Sequence, residues 1–109
     1  MRFNLGEFEE IVLLVVAAQN DDAYGLSVTT AIEKELKRSV TMSSVHTALY
    51  RLEEKGLVKS EVGGTTKSRG GRRKRIFMIS SAGKDALLQA KDARTHLWSM
   101  IPKIVFEGQ

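Results

Sequence analysis

The chain has 109 residues, 42% of them hydrophobic, and no cysteine. A chain of this length holds one domain with one small core. The lack of cysteine excludes a disulfide framework and a thiolate zinc site, as expected in a reducing compartment. The apolar run at residues 11–18 is far shorter than the roughly 20 residues that span a bilayer, and acidic residues precede it. The sequence therefore predicts a soluble, cytoplasmic protein.

The net charge of +4 is distributed unevenly along the chain. Residues 1–36 carry 2 basic and 7 acidic side chains, residues 37–84 carry 12 and 3, and residues 85–109 carry 3 and 3. Positive charge is thus concentrated in the middle segment, where it would displace counterions from a phosphate backbone. This distribution predicts a nucleic-acid-binding face between residues 37 and 84.

Two helices are predicted before that basic segment. The first, at about residues 6–19, has apolar residues on more than one face, which predicts that one face meets the core and another meets a partner. Residues 20–22 form a turn, and Tyr24-Gly25 leads into a second helix. Its apolar stripe consists of Val28, Ile32 and Leu36, which are spaced by four.

A third helix is predicted from Thr41, which is a suitable N-cap, to Gly56, which ends it before a strand. One stripe of this helix is apolar: Val45, Ala48, Leu49 and Leu52. At about 100° per residue, the opposite face carries short polar side chains, a tyrosine and a cation: Ser43, Thr47 and Tyr50, flanked by Ser44, His46 and Arg51. Such a face suits the edge of a base pair better than a protein core.

Each polar side chain of this helix has a predicted role. Because residues at the start of such a helix enter the major groove, contacts to bases or phosphates are expected from Thr41, Ser43, Ser44 and Thr47. Tyr50 lies farther along and is expected to contact a phosphate. His46 is open between a DNA contact and a plain exposed position, and Arg51 between a DNA contact and an intrahelical pair with Glu54.

A β-hairpin wing is predicted next, with strands at 57–62 and 72–79 and a tip at 63–71. Four glycines surround its cations, which are Lys67, Arg69, Arg72, Arg73, Lys74 and Arg75. Such cations lie over phosphates or enter a minor groove, although a solvated loop is the alternative. Strand alternation lets either Arg73 and Arg75 or Arg72 and Lys74 face DNA, and the sequence does not choose between the pairs.

The last predicted helix starts at the N-cap Ser80 and continues to Ile101, before Pro102. Its end carries apolar residues beyond the part that a small winged domain can cover: Leu97, Trp98 and Ile101. Together with Phe8 near the start of the chain, they predict a dimer interface.

The order of elements predicts a mainly α fold with a small antiparallel β-wing, which is a winged helix-turn-helix followed by a C-terminal dimerisation helix. Residues 1–79 would form the DNA-binding part and residues 80–109 the helix and tail for dimerisation, within one compact domain overall.

Three sequence stretches resemble the PadR family of bacterial transcriptional regulators: ALYRLEEKGLV at 48–58, GGRRKR at 70–75 and SSAGKDAL at 80–87. Tyr24-Gly25 sits where that family begins its second helix, and the resemblance covers about residues 8–95. It implies that Trp98 also lines an effector cavity at a dimer interface. The family usually has tyrosine and proline where this chain has His46 and Thr47, and a tyrosine pair at Ile76-Phe77, so base preference does not carry over.

These observations predict a homodimeric repressor that binds a pseudo-palindromic operator in double-stranded DNA and responds to an effector. Two alternatives remain open, a winged-helix module that docks an acidic protein partner and an architectural DNA binder without a specific operator. His46 and His96 are isolated, and no catalytic grouping or phosphate-binding loop is present, so neither an enzyme nor a bound metal or cofactor is expected.

Overall fold

The computed structural model describes residues 5–65 and 73–108. Its helices and strands follow in the order α1 (Glu7–Gln19), α2 (Gly25–Leu36), α3 (Met42–Glu54), β1 (Val58–Thr65), β2 (Arg73–Ile79) and α4 (Ser81–Ser99). Short 3₁₀ turns occur at Asn20–Asp22 and Lys103–Val105. The strands pair in an antiparallel hairpin, which confirms the predicted mainly helical fold with a small wing.

Local chemistry sets both ends of α3. The Thr41 side-chain oxygen accepts a hydrogen bond from the backbone N–H of Ser44 at 3.1 Å, so that this residue caps the helix as predicted. After the last turn, Gly56 adopts a φ of 77°, which a residue with a side chain rarely tolerates. The chain then turns directly into β1.

Some predicted boundaries were wrong. The first strand begins at Val58, one residue late, and continues to Thr65, past a register irregularity after Val62. Residues 63–65 therefore belong to the hairpin ladder and not to the tip, and residues 66–72 lie outside the described part. Helix α4 ends at Ser99, two residues early, because proline at 102 disfavours helical geometry in the residue before it.

The predicted stripe of α2 holds for Val28 and Ile32, which are fully buried, but not for Leu36, which is 50% exposed. The helix ends at Leu36, and Lys37 takes a left-handed conformation with a φ of 51°, so the stripe has no further turn to continue on. Thr29 is buried instead, and its hydroxyl donates to the Gly25 carbonyl at 2.8 Å.

The core lies between the first three helices and the base of the wing. Its largest fully buried members come from α1, α2, α3, the two strands and the turn before β1: Val12, Leu13, Val16, Val28, Ile32, Val45, Leu49, Leu52, Leu57, Val58 and Phe77. The backbone N–H of Phe77 donates to the Ala23 carbonyl at 2.8 Å, forming an isolated bridge to the segment before α2. Strand β2 is thereby held against the segment before α2 as well as against β1.

Only the start of α4 packs on this core. Gly83 and Ala86 are buried, whereas every residue from 91 to 108 is exposed. Ser80 fixes the start of the helix, since its backbone N–H donates to the Leu57 carbonyl at 3.0 Å and its hydroxyl to the Gly56 carbonyl at 2.6 Å. The helix is thus anchored at the corner where α3 passes into β1. Within the two described ranges, no helix combines the length and apolar character needed to cross a membrane.

Candidate nucleic-acid interface

Helix α3 presents the polar face that its sequence predicts. Val45, Ala48, Leu49 and Leu52 are buried, and the opposite side exposes the predicted contact residues: Ser43, Thr47, Tyr50 and Arg51. Thr41 is also exposed, and Ser44 is partly exposed. The periodic burial follows from the 3.6-residue repeat, which places the apolar stripe on the core and leaves these side chains facing outward.

A cluster of hydroxyl groups lies at the start of α3. The Ser44 hydroxyl donates to the Thr41 carbonyl at 2.8 Å, and the Thr47 hydroxyl donates to the Ser43 carbonyl at 2.9 Å. Because each hydroxyl has one proton and two lone pairs, these two groups have used their donors and keep acceptor capacity. The cluster can therefore accept hydrogen bonds from amino groups exposed in a major groove, such as those of adenine and cytosine.

His46 is placed differently from its hydroxyl neighbours. Its side chain is partly buried and packs against the start of α2, where a Cβ added to Gly25 would lie only 2.5 Å from the imidazole Cε1 and Nε2. Its Nδ1 is buried and has no hydrogen-bond partner among the described residues. Of the two open interpretations, the exposed polar position is wrong, because the imidazole occupies the gap between two helices.

Tyr50 is 48% exposed, and other rings contact it on two sides. It stacks on His46, with ring centroids 6.0 Å apart and an interplanar angle of 23°. Its other contact is edge-on with Phe77 of β2, at 6.1 Å and 67°. Both distances lie in the range of favourable aromatic pairs.

Two wing cations already have partners within the chain. Arg75 donates to the Ser60 hydroxyl at 2.9 Å, and that hydroxyl donates to Glu53 at 2.6 Å. The Lys74 ammonium lies 4.1 Å from the centroid of the Tyr24 ring, a cation–π contact at the start of α2. The predicted contacts of Lys67, Arg69 and Arg72 lie outside the described residues, as does the side chain of Arg73.

An open cleft of about 500 Å³ separates the start of α1 from α3, and Phe8, Glu9, Thr47, Arg51 and Lys55 are among its lining residues. Burial raises the pKa of Glu9. Several other effects lower it by a larger amount: hydrogen bonds from Lys55, at 2.6 Å, and from the Gly6 backbone N–H, and the positive charges of Lys55 and Arg51. The pKa of Glu9 therefore lies below its usual value. Arg51 thus acts on Glu9 across the cleft.

The alternative predicted role of Arg51 was an ion pair with Glu54. No such pair forms among residues 5–65 and 73–108, because Arg51 lines the cleft toward α1.

The acidic first turn of α1 contacts three other parts of the fold. Glu7 pairs with Arg38 at 3.7 Å, Glu9 with Lys55 at the end of α3, and Glu10 with Arg94 of α4 through two contacts of 2.5 and 3.2 Å. The bond to Glu10 raises the pKa of Arg94 further. The sequence shows the acidic turn but gives no signal for partners that lie up to 84 residues away. These pairs join α4 and the end of α3 to the same turn.

The predicted dimerisation residues fall into two places. Leu97, Trp98 and Ile101 are exposed at the far end of α4, where Trp98 stacks on Phe106 with centroids 6.0 Å apart. Trp98 also lines a groove of about 410 Å³ between α1 and α4. Phe8 instead packs partly buried against the core, with the Arg38 guanidinium 5.5 Å from its ring. In the described part of the chain, no cluster of three or more metal-ligating side chains occurs.

A three-helix core, an outward polar α3 and a two-stranded wing define a winged helix-turn-helix protein. Residues 12–89 match the family described as the transcriptional regulator PadR-like family, and the chain belongs to that family. The protein is therefore a DNA-binding transcriptional regulator, and its family is not a class of enzymes.

Several solved structures share this fold. A PadR-like transcriptional regulator from Bacillus cereus is 18% identical, with a TM-score of 0.74 over 94% of this chain and 93% of that one. A PadR family regulator from Clostridium difficile is 23% identical, with a TM-score of 0.69 over 90% and 98%. RosR from H. salinarum is 19% identical, with a TM-score of 0.70 over 91% and 82%. A search of curated protein sequences finds no match.

Proposed function

We propose that this regulator is a cytoplasmic, homodimeric repressor that binds a pseudo-palindromic operator and does no catalysis. The observation that carries the proposal is the outward face of α3, where a capped hydroxyl cluster lies beside a basic wing. The segment from residue 37 to 84 contributes 12 basic and only 3 acidic side chains, which supplies the attraction to phosphates.

Within this proposal, the start of α3 reads bases and the rest of the surface positions the protein. Ser43, Ser44 and Thr47 accept hydrogen bonds from base amino groups in the major groove, with Thr41 at the edge of the contact. Tyr50 and Arg51 bind phosphates from farther along the helix. The wing binds the backbone through its cations: Lys67, Arg69, Arg72, Arg73 and Lys74. Because Lys74 already contacts Tyr24, we expect a smaller contribution from it.

Dimerisation would bring two such surfaces together. The α4 helix extends beyond the core and exposes Leu97, Trp98 and Ile101, with Trp98 64% exposed. Large apolar side chains at this density are costly in water, and a second copy related by a two-fold axis would cover them. Residues 1–79 would then act as the reading unit and residues 80–109 as the dimerisation unit.

Repression would follow from occlusion of a promoter by the bound dimer. An effector that enters beside Trp98, in the groove between α1 and α4, would change the angle of α4 and thus the spacing of the two recognition helices. An aromatic wall of this kind suits a planar, largely apolar small molecule.

The test is selection of an operator from random duplexes, followed by fluorescence anisotropy titrations at several salt concentrations. Thr47→Val should alter the sequence preference and leave the salt slope unchanged, since it removes an acceptor and no charge. Thr30→Val is the matched control, because Thr30 is an exposed threonine on α2. Replacing Arg72 and Arg73 with alanine should weaken binding to all duplexes and flatten the slope by about 0.9 per lost phosphate contact.

The same titrations separate the alternatives. A rigid dimer should prefer half-sites about one helical turn (34–36 Å) apart or a multiple of it, and about half a turn of inserted DNA should abolish tight binding. Binding without sequence or spacing preference would indicate an architectural protein. No duplex binding at all would favour a winged-helix module that docks an acidic protein.

A further inference from the structure

His46 is held in a tight gap between α2 and its own helix. Gly25 is buried, and a Cβ at that position would lie 2.5 Å from the imidazole, well inside any real contact distance. The imidazole therefore rests on the backbone at Gly25, and only glycine leaves room for it. Because Nδ1 is buried and unpaired, no hydrogen bond within the described chain accounts for a histidine at this place.

A closed set of contacts connects this gap to the wing. His46 stacks on Tyr50, Tyr50 meets Phe77 edge-on, and the N–H of Phe77 donates to the Ala23 carbonyl, two residues before Gly25. Three elements take part, namely the recognition helix, the returning strand of the wing and the start of α2. A shift of the His46 ring would thus move the Tyr50 ring directly and the wing only through the contact between Tyr50 and Phe77.

Tyr50 is the exposed member of this set. A half-exposed tyrosine on a free helix surface samples several rotamers and must give up that freedom on binding. Here one ring stacks on it and another makes a T-shaped contact with it, so part of that freedom is lost before DNA arrives. Preorganisation of this kind lowers the cost of a contact without adding a new one.

We propose that His46 is a positioning residue of the DNA interface, which reads no base and instead holds the Tyr50 ring of α3 at a fixed place against Phe77 of the wing. The proposal rests on the proposed function, because it assigns Tyr50 to the DNA backbone.

A double-mutant cycle tests the coupling. Tyr50→Ala should weaken duplex binding about tenfold, the loss expected for one hydrogen bond to a charged phosphate, and His46→Ala should lose a similar factor. The double variant should lose no more than Tyr50→Ala alone, because His46 acts only through Tyr50. Losses that multiply in the double variant would overturn the proposal.

His46→Phe is the conservative variant. A phenyl ring can stack on Tyr50 and removes the unpaired nitrogen, so it should fold well and bind within about threefold of the unmutated chain. A base reader would behave differently, since loss of the imidazole would then change the preference at one base pair. Such a change in His46→Phe would refute positioning.

An independent measurement needs no DNA. The chain has two tyrosines and two histidines, so Tyr50 ring resonances are readily assigned by NMR. His46→Ala should shift them, whereas His96→Ala, which removes an exposed histidine of α4, should leave them in place. Unchanged Tyr50 resonances in His46→Ala would refute the proposal even if duplex binding is intact. Absence of duplex binding by the unmutated chain would instead refute the proposed function, and with it the role assigned here.

Discussion

Gly83→Ala should weaken the packing of α4 on the rest of the fold. The loss of stability can be worked out from the atoms around that glycine. A Cβ at Gly83 would overlap the backbone oxygen of Leu57 and lie 2.7 Å from Cγ1 of Ile79. Carbon atoms pack at about 3.5–4.0 Å, so the helix must move by about 1 Å. Leu57 cannot yield easily, because its carbonyl also accepts the Ser80 N–H at 3.0 Å.

Overpacking of this kind costs about 1–3 kcal/mol, and disturbance of the Ser80 cap adds about 1 kcal/mol. Replacing glycine by alanine inside a helix returns about 1 kcal/mol. The net loss should be about 1–3 kcal/mol, or roughly 4–12 °C in Tm for a chain of this size. Thermal unfolding followed by circular dichroism, at one fixed protein concentration, measures it.

Gly6→Ala is the control for added bulk, since nothing lies within 4 Å of a Cβ at Gly6 and only the weaker N-cap preference of alanine, about 0.5–1 kcal/mol, opposes it. A Gly83→Ala chain as stable as the unmutated one would refute the argument that this contact fixes α4. If α4 does set the separation of the two reading surfaces, Gly83→Ala should also broaden the preference for half-site spacing.

Three further predictions concern other contacts. The pKa of Glu9 is lowered in the folded chain, so its pairing stabilises the fold at pH values above 4.5, the usual pKa, and this stabilisation is lost as the pH falls through the lowered pKa. Glu9→Gln should therefore reduce the free energy of unfolding in urea by about 0.5–1 kcal/mol at pH 7. An equal loss in acid would contradict this. Gly25→Ala should lower the Tm in the unmutated chain but not in His46→Ala, where the contact at 2.5 Å is gone, and equal costs in both chains would contradict the packing account. Trp98→Ala should weaken self-association in sedimentation velocity runs while Leu26→Ala, an exposed leucine on α2, should not; a monomeric unmutated chain at micromolar concentration would contradict the dimer.

The sequence alone was sufficient for the order of the elements and for the outward face of α3. Thr41, Gly56 and Ser80 act within one helical turn of where they stand, so their capping roles can be predicted from neighbouring residues. The apolar stripe from Val45 to Leu52 repeats at the helical period, which fixes the buried side and therefore the free one. The resemblance to the PadR family also rests on short stretches of sequence, and the match of the family over residues 12–89 confirms it.

Tertiary structure decided which neighbours several of the polar side chains of α3 contact. His46 and Gly25 are far apart in sequence, and only the packing of α3 on α2 brings the imidazole into the gap that glycine leaves. Arg51 influences Glu9 instead of pairing with Glu54, because α1 crosses beside α3. Such contacts depend on the angles between helices, and those angles are set by the shapes of many core side chains together, which no local pattern encodes.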